Sequence, residues 1–277
     1  MPTDQYVDAV YNDNFYYIHE YSTGIWRKSI DTSDPTLWCQ IKLTNTVGKQ
    51  LRLGNHGRSI IANREKKSIA IIEILRFGLK GEEFDIVKNF GGEIADHQPL
   101  GPEEDQVAVL TYDGWIIVYA FDLRARSYKL LDRFKIELKS NRKEKALTLT
   151  ICSRSKYFLV HVKNGNSNSS RMFILELNDG YLSQRSCLDI EKEKFDRINA
   201  IKFYDFYSNH LFLCAMTCGP NSKILTYDFN TKSGSFAERK DLRKETDCVQ
   251  PIKMTLLRGD LYCSDKKARL IQISYLE

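Results

Sequence analysis

The sequence predicts an all-β chain of about six repeated units, each a four-stranded antiparallel sheet, and three observations carry that prediction. An apolar run, a short turn, a second run ending in an aromatic and an acidic residue, and a third, polar run recur about every 45 residues, a period that marks stacked repeat architectures. The runs are short, rich in β-branched and aromatic residues, and broken by Gly, Asn, Asp or Ser. Helical periodicity is poor throughout.

Taken in order, unit one places strands at 6–11, 15–20, 25–30 and 37–43, and unit two at 49–53, 59–63, 68–75 and 83–90. Unit three runs from 93 through 107–112, 115–121 and 128–138, and holds the clearest copy, Gln106-Val-Ala-Val-Leu-Thr-Tyr-Asp-Gly-Trp-Ile-Ile-Val-Tyr-Ala-Phe-Asp122 followed by Tyr128-Lys-Leu-Leu131. Unit four gives 146–152, 157–162, 172–177 and 181–190; unit five gives 198–203, 211–216, 223–229 and 235–239. Unit six offers only 251–257, 261–264 and 269–275. The segments 189–196 and 238–245 have weak helical character but are short and charged, and read as linking loops. Asn164-Gly-Asn-Ser-Asn-Ser-Ser170 has no apolar residue and reads as a mobile hairpin tip.

Composition sets the bounds. With 277 residues, 42% hydrophobic content, 14 Phe and 15 Tyr, the chain can bury a large core, and six prolines and fifteen glycines argue against a disordered or fibrous chain. A single domain over 1–277 is expected, standing alone or as part of a longer chain. The net charge of +5 arises from 41 basic and 36 acidic residues spread along the chain, which ranks nucleic acid low among partners, because a dedicated binder gathers its basic residues on one face. Seven cysteines at irregular positions read as free, buried thiols in a reducing compartment. The start, Met1-Pro-Thr-Asp-Gln-Tyr6, has no signal-peptide character, and no apolar stretch approaches the roughly 18 residues of a membrane span. Asn168-Ser-Ser170 matches a glycosylation acceptor and is read as chance. A cytoplasmic or nuclear location is expected.

The pairing of 107–110 with 116–119, closed by Phe121-Asp122, resembles the second and third strands of a WD40-type β-propeller blade. Leu211-Phe-Leu-Cys-Ala215 with Ile224-Leu-Thr-Tyr-Asp228 repeats it, and Phe158-Leu-Val160 with Phe173-Ile-Leu-Glu-Leu177 does so more loosely. Where that family ends its third strand in Trp-Asp, this chain has Phe121-Asp122, Tyr227-Asp228 and Glu176-Leu177. The family's Gly-His pair and its turn Asp are largely missing. The resemblance implies a single β-propeller of about six blades, or seven, with the last blade incomplete or closed by the N-terminal strand at 6–11. It fits the apolar runs, since inner strands sandwiched between neighbouring blades are buried on both faces.

Chemistry is not signalled. His19, His56, His97, His161 and His210 are scattered, without metalloprotease spacing. Cys214 and Cys218 are wrongly spaced for a metal half-site, and no second pair completes one. Thr111-Tyr-Asp-Gly-Trp115 and Asn178-Asp-Gly180 lack the sialidase-type spacing and read as hairpin turns. No nucleophile elbow or phosphate loop is present. Basic clusters at 64–67, 139–145, 239–244 and 266–269 read as solvated turns.

The expectation is therefore no enzyme, no cofactor and no metal, but a non-enzymatic protein-interaction scaffold serving as a subunit of a multiprotein complex. A protein or peptide partner would add to the open edge of unit six, at Arg269, Leu270, Ile271, Gln272, Ile273, Ser274 and Tyr275. The alternatives are a propeller hydrolase with a central-channel active site and a nucleic-acid-associated propeller using basic loops.

Overall fold

Short β-branched and aromatic runs become strands in the computed structural model, which describes 24 strands and the connecting residues at 92–93, 101, 105, 112–114, 123–126, 136–144, 152, 164–167, 169, 179–180, 231–234 and 239. The backbone separates into two compact units, Met1–Ile136 and Glu137–Glu277.

The first unit holds three sheets, each an antiparallel meander in chain order. Sheet one is β1 Tyr6–Tyr11, β2 Phe15–Glu20, β3 Gly24–Ser29 and β4 Cys39–Ile41. Sheet two is β5 Leu51–Gly54, β6 Ser59–Glu65, β7 Ser68–Glu73 and β8 Glu83–Ile86. Sheet three is β9 Ile94–Leu100, β10 Gln106–Thr111, β11 Trp115–Asp122 and β12 Ser127–Lys135. The first strands of successive sheets are neighbours, β1 with β5 and β5 with β9.

The second unit repeats the plan. Sheet four is β13 Lys145–Ile151, β14 Tyr157–Lys163, β15 Ser170–Asn178 and β16 Tyr181–Ile190. Sheet five is β17 Arg197–Tyr207, β18 His210–Cys218, β19 Lys223–Asn230 and β20 Ser235–Glu238, with a short β21, Lys244–Glu245, pairing β19 at Lys223 and Ile224. Sheet six has three described strands, β22 Pro251–Leu257, β23 Asp260–Asp265 and β24 Leu270–Ser274. Here β13 neighbours β17, and β17 neighbours β22.

Burial follows strand position. Five consecutive residues of β10 and five of β14 are buried, so both faces of these strands are covered, which explains their unbroken apolar sequence. The fourth strands β12 and β16 are largely exposed. Between sheets two and three, Ile61, Ile69 and Ile71 pack against Val107, Val109, Ile117 and Tyr119. Between sheets four and five, Leu159, Met172 and Ile174 pack against Leu225, Tyr227 and Phe229. Each such side chain contributes roughly 1.5–3 kcal/mol by leaving water.

Two expectations change and a third holds. Residues 244–245, read as loop, form a strand, because β19 extends past the end of β20 and leaves backbone groups for them to pair. Residues 6–11 are, as the repeat led one to expect, the first strand of a four-stranded sheet with β2, β3 and β4. The Asn- and Ser-rich hairpin tip is tethered: Gly165 N–H donates to Arg142 O at 3.0 Å, Asn166 Nδ2 to Asn141 O at 3.0 Å, and Asn164 Nδ2 to Ser169 Oγ at 3.1 Å. A β-carbon on Gly165 would lie 2.7 Å from Lys143 O, so this close approach requires glycine. The loop reading of 191–196 lies outside the described residues.

Candidate functional site

In the first unit, polar chemistry gathers on the first strands. Arg52 sits in β5 between Leu51 and Leu53, and Asp96 and His97 sit in β9. Arg52 Nη2 lies 3.3 Å from Asp96 Oδ1, and the side chains are 22% and 1% exposed, respectively. The same carboxylate oxygen accepts the His97 backbone N–H at 2.7 Å. Asp96 is thus a buried anchor, and the guanidinium it holds is the member of the pair that reaches solvent.

Strand alternation turns His97 to the opposite face from Asp96, where its Nε2 lies 3.2 Å from Ile61 O. A carbonyl accepts only, so Nε2 carries the proton and Nδ1 is left as an acceptor. That buried Nδ1 has no hydrogen-bond partner. Burial, with the nearby Arg52 charge adding to it, lowers the His97 pKa to about 3. The ring is neutral at ordinary pH and positions β9 against β6.

The second unit carries two further constellations. Glu144, with a side chain 1% exposed, accepts from Arg171 Nη1 at 2.9 Å and from Lys139 N–H at 2.8 Å. Arg171 Nε is 3.2 Å from Asp189 Oδ1, and its guanidinium lies 4.6 Å from the centre of the Phe173 ring. Burial, partly opposed by Arg171, raises the pKa of the free Cys187 thiol, which therefore is not an activated thiolate. Cys152 is free and buried, as the sequence led one to expect, whereas Cys187 is free but exposed, on the outward-facing fourth strand β16.

His161 Nε2 lies 3.0 Å from Ser170 Oγ, a contact that in an open site would suit nucleophile activation. Both residues are buried, on the face that also carries Leu159 and Met172. Desolvation, reinforced by Lys163, lowers the His161 pKa to about 4. This pair is core structure. Among the described residues no group of His, Cys, Asp and Glu could hold a metal ion.

For the predicted edge, Leu270–Ser274 forms β24, which pairs β23 from Asp260↔Ser274 to Ser264↔Leu270 and is the terminal strand of its sheet among the described strands. Arg269 and Tyr275 lie outside the described residues. Sequence reasoning passed over Arg52 and Asp96. The available signal was a charged residue inside an apolar strand, Leu51-Arg52-Leu53, and an Asp-His pair where a first strand should be buried.

No protein-family model and no curated protein matches the sequence. Solved structures do resemble the fold. The β-propeller domain of Cps50 (Swd1) from Myceliophteria thermophila superposes with a TM-score of 0.67 at 11% identity, covering 97% of this chain and 83% of that one. A protein from Bacteroides fragilis described as a candidate 6-phosphogluconolactonase gives 0.63 at 11% identity, covering 99% and 82%. A candidate 6-phosphogluconolactonase from Bacteroides uniformis gives 0.66 at 12% identity, covering 98% and 79%.

These likenesses correct the functional expectation. A non-enzymatic scaffold in a multiprotein complex was expected because catalytic motifs are missing from the sequence, yet the same fold is shared over nearly the whole chain with candidate lactonases. In a repeat fold, groups that act together can come from separate sheets, so the absence of linear motifs does not decide function. Among the described residues no helix is long and apolar enough to cross a membrane. With its meander sheets and the blade pairing first seen at 107–122, the chain has the fold of a β-propeller.

Proposed function

We propose that the chain recognises a small anionic ligand at its first strands, through Arg52. One observation carries this reading: a partly exposed guanidinium is held at 3.3 Å by a carboxylate that is itself buried, on neighbouring first strands β5 and β9. First strands line the axis of a propeller, where ligand sites of this fold collect. A fixed guanidinium offers a planar fork of donors suited to phosphate or carboxylate. The test is calorimetric titration with 6-phosphogluconate. Binding that disappears in Arg52→Met supports the reading, and equal binding by both proteins, or none by either, sinks it.

A second reading, hydrolysis of a phosphorylated sugar lactone at the same place, is supported by the near-complete coverage of this chain by two candidate 6-phosphogluconolactonases. Such a substrate is itself anionic and needs the same Arg52. Turnover of 6-phosphogluconolactone above the spontaneous rate, lost in Arg52→Met, is its expected outcome. A rate equal to the buffer blank removes it.

A further inference from the structure

Among the described strands β12 is the terminal strand of sheet three and pairs with β11. Of the three large apolar side chains that are exposed among the described residues, two lie on it: Tyr128 at 44% and Leu130 at 46%. The register explains how they are displayed. Phe121 pairs Tyr128 and Tyr119 pairs Leu130, then a bulge shifts the ladder so that Val118 pairs Asp132, Ile117 pairs Arg133 and Trp115 pairs Lys135. The extra residue, Leu131, reverses the alternation. In consequence Tyr128, Leu130, Arg133 and Lys135 share one face of the strand, an apolar half followed by a cationic half.

The cations are held in place. Arg133 Cζ lies 5.7 Å and Lys135 Nζ 5.0 Å from the centre of the Trp115 ring, and Lys135 Nζ is 3.0 Å from Asp113 Oδ2. The apolar half is likewise backed, by the edge-on contact of Tyr119 with Tyr128 at 5.9 Å between ring centres. Residues 122–135 contain five basic and two acidic residues, a denser positive charge than the chain as a whole carries.

We infer that β12 is a docking edge for an extended acidic peptide, which adds as a fifth strand and sets apolar side chains against Tyr128 and Leu130 and carboxylates against Arg133 and Lys135. Backbone pairing supplies a sequence-independent part of the affinity, and the row of side chains supplies the specificity. The positive charge excludes a second copy of the same edge, since like charges brought together across a new ladder repel. The occupant is therefore chemically unlike the edge itself, and the inference is independent of the chemistry at Arg52.

The experiment uses the full chain and a fluorescent peptide with two valines and then two glutamates at alternate positions, separated by threonines; a control peptide carries lysine in place of glutamate. Binding is followed by anisotropy, and the site by amide exchange. The glutamate peptide should bind with protection gained at 127–135, and binding should weaken at least about tenfold in Arg133→Glu with Lys135→Glu. It should weaken in Tyr128→Ala, but stay unchanged in Tyr181→Ala, an exposed aromatic on the corresponding strand of sheet four. Circular dichroism of each variant distinguishes lost binding from lost folding. No binding, equal binding of the lysine peptide, or protection away from 127–135 would overturn the inference. So would a single-stranded oligonucleotide that binds the edge more tightly than the peptide, with a steep salt dependence.

Discussion

Asp122 and Asn230 hold the same place in two different sheets, each ending a third strand and capping the loop that follows it. Asp122 Oδ1 accepts the N–H groups of Arg124 and Ala125 at 2.8 and 3.0 Å, and Asn230 Oδ1 those of Lys232 and Ser233 at 2.9 and 3.1 Å. Both loops then pass through a left-handed residue, Arg126 with φ +48° in one and Gly234 with φ +69° in the other. Two sheets have thus reached the same turn with a different residue at its strained position.

That difference predicts substitutions of opposite sign. Arg126→Gly relieves a side chain held at positive φ and should raise stability by up to about 1 kcal/mol, less the entropy glycine adds to the unfolded chain. Gly234→Ala imposes the same strain and should cost about 1 kcal/mol. Denaturant midpoints of the two variants, read against the parent, check the pair. Midpoints shifted in the same direction would mean that φ is not what governs these turns.

The same two residues show what the sequence could and could not disclose. Strand number, order and the half-exposed fourth strands were legible because burial on two faces, one face or neither leaves different hydropathy patterns. Register was not. An aromatic followed by an acid marks the end of β11 at Phe121-Asp122, and by sequence the matching pair Tyr227-Asp228 reads as its equivalent. In the structure Tyr227 pairs Glu238 inside the sheet, and the strand ends two residues later, at Phe229-Asn230. The turn's need for a side-chain acceptor sets the end of the strand, and asparagine fills that need as well as aspartate. The Arg52–Asp96 pair was illegible for another reason, since its members are 44 residues apart and meet only when β5 and β9 become neighbours.

Arg171 and Glu144 give a second prediction. Glu144 is a buried carboxylate whose charge is met by Arg171 Nη1 at 2.9 Å and the Lys139 N–H at 2.8 Å. Arg171→Met keeps much of the packing on Phe173 but leaves the carboxylate without that cation, a change that costs roughly 3 kcal/mol when a buried pair is broken. Adding Glu144→Gln should restore part of the loss, because the remaining group is then neutral. A double-mutant cycle by urea unfolding measures the coupling, and a cycle that closes at zero would show the pair to be solvated in practice.

Acid should destabilise the fold through its two buried histidines. His97 and His161 have pKa values lowered to about 3 and about 4 by burial, against about 6.5 in an unfolded chain. Above pH 6.5 both states are neutral at these rings and the stabilisation is complete. As pH falls from 6.5 towards 4, the unfolded chain takes up protons that the folded one refuses, so stability falls by about 1.4 kcal/mol per pH unit for each histidine. Replacing His161 with Gln should therefore flatten the slope of unfolding free energy between about pH 6 and pH 4.5 by close to one proton. An unchanged slope would mean that His161 protonates in the folded state.

The last prediction separates structure from recognition at Arg52. Arg52→Met removes the guanidinium beside Asp96, a carboxylate only 1% exposed, and should destabilise the protein by roughly 2 kcal/mol as well as abolish anion binding. Those two effects are confounded in the single variant. Adding Asp96→Asn neutralises the buried group while its side-chain oxygen can still accept the His97 N–H, now 2.7 Å away. Stability should then return most of the way towards the parent. Affinity for 6-phosphogluconate should not return, because it depends on the positive fork and not on the integrity of the strands. If the double variant regains binding together with stability, Arg52 serves only to join β5 to β9, and an anion would have to be held by other groups.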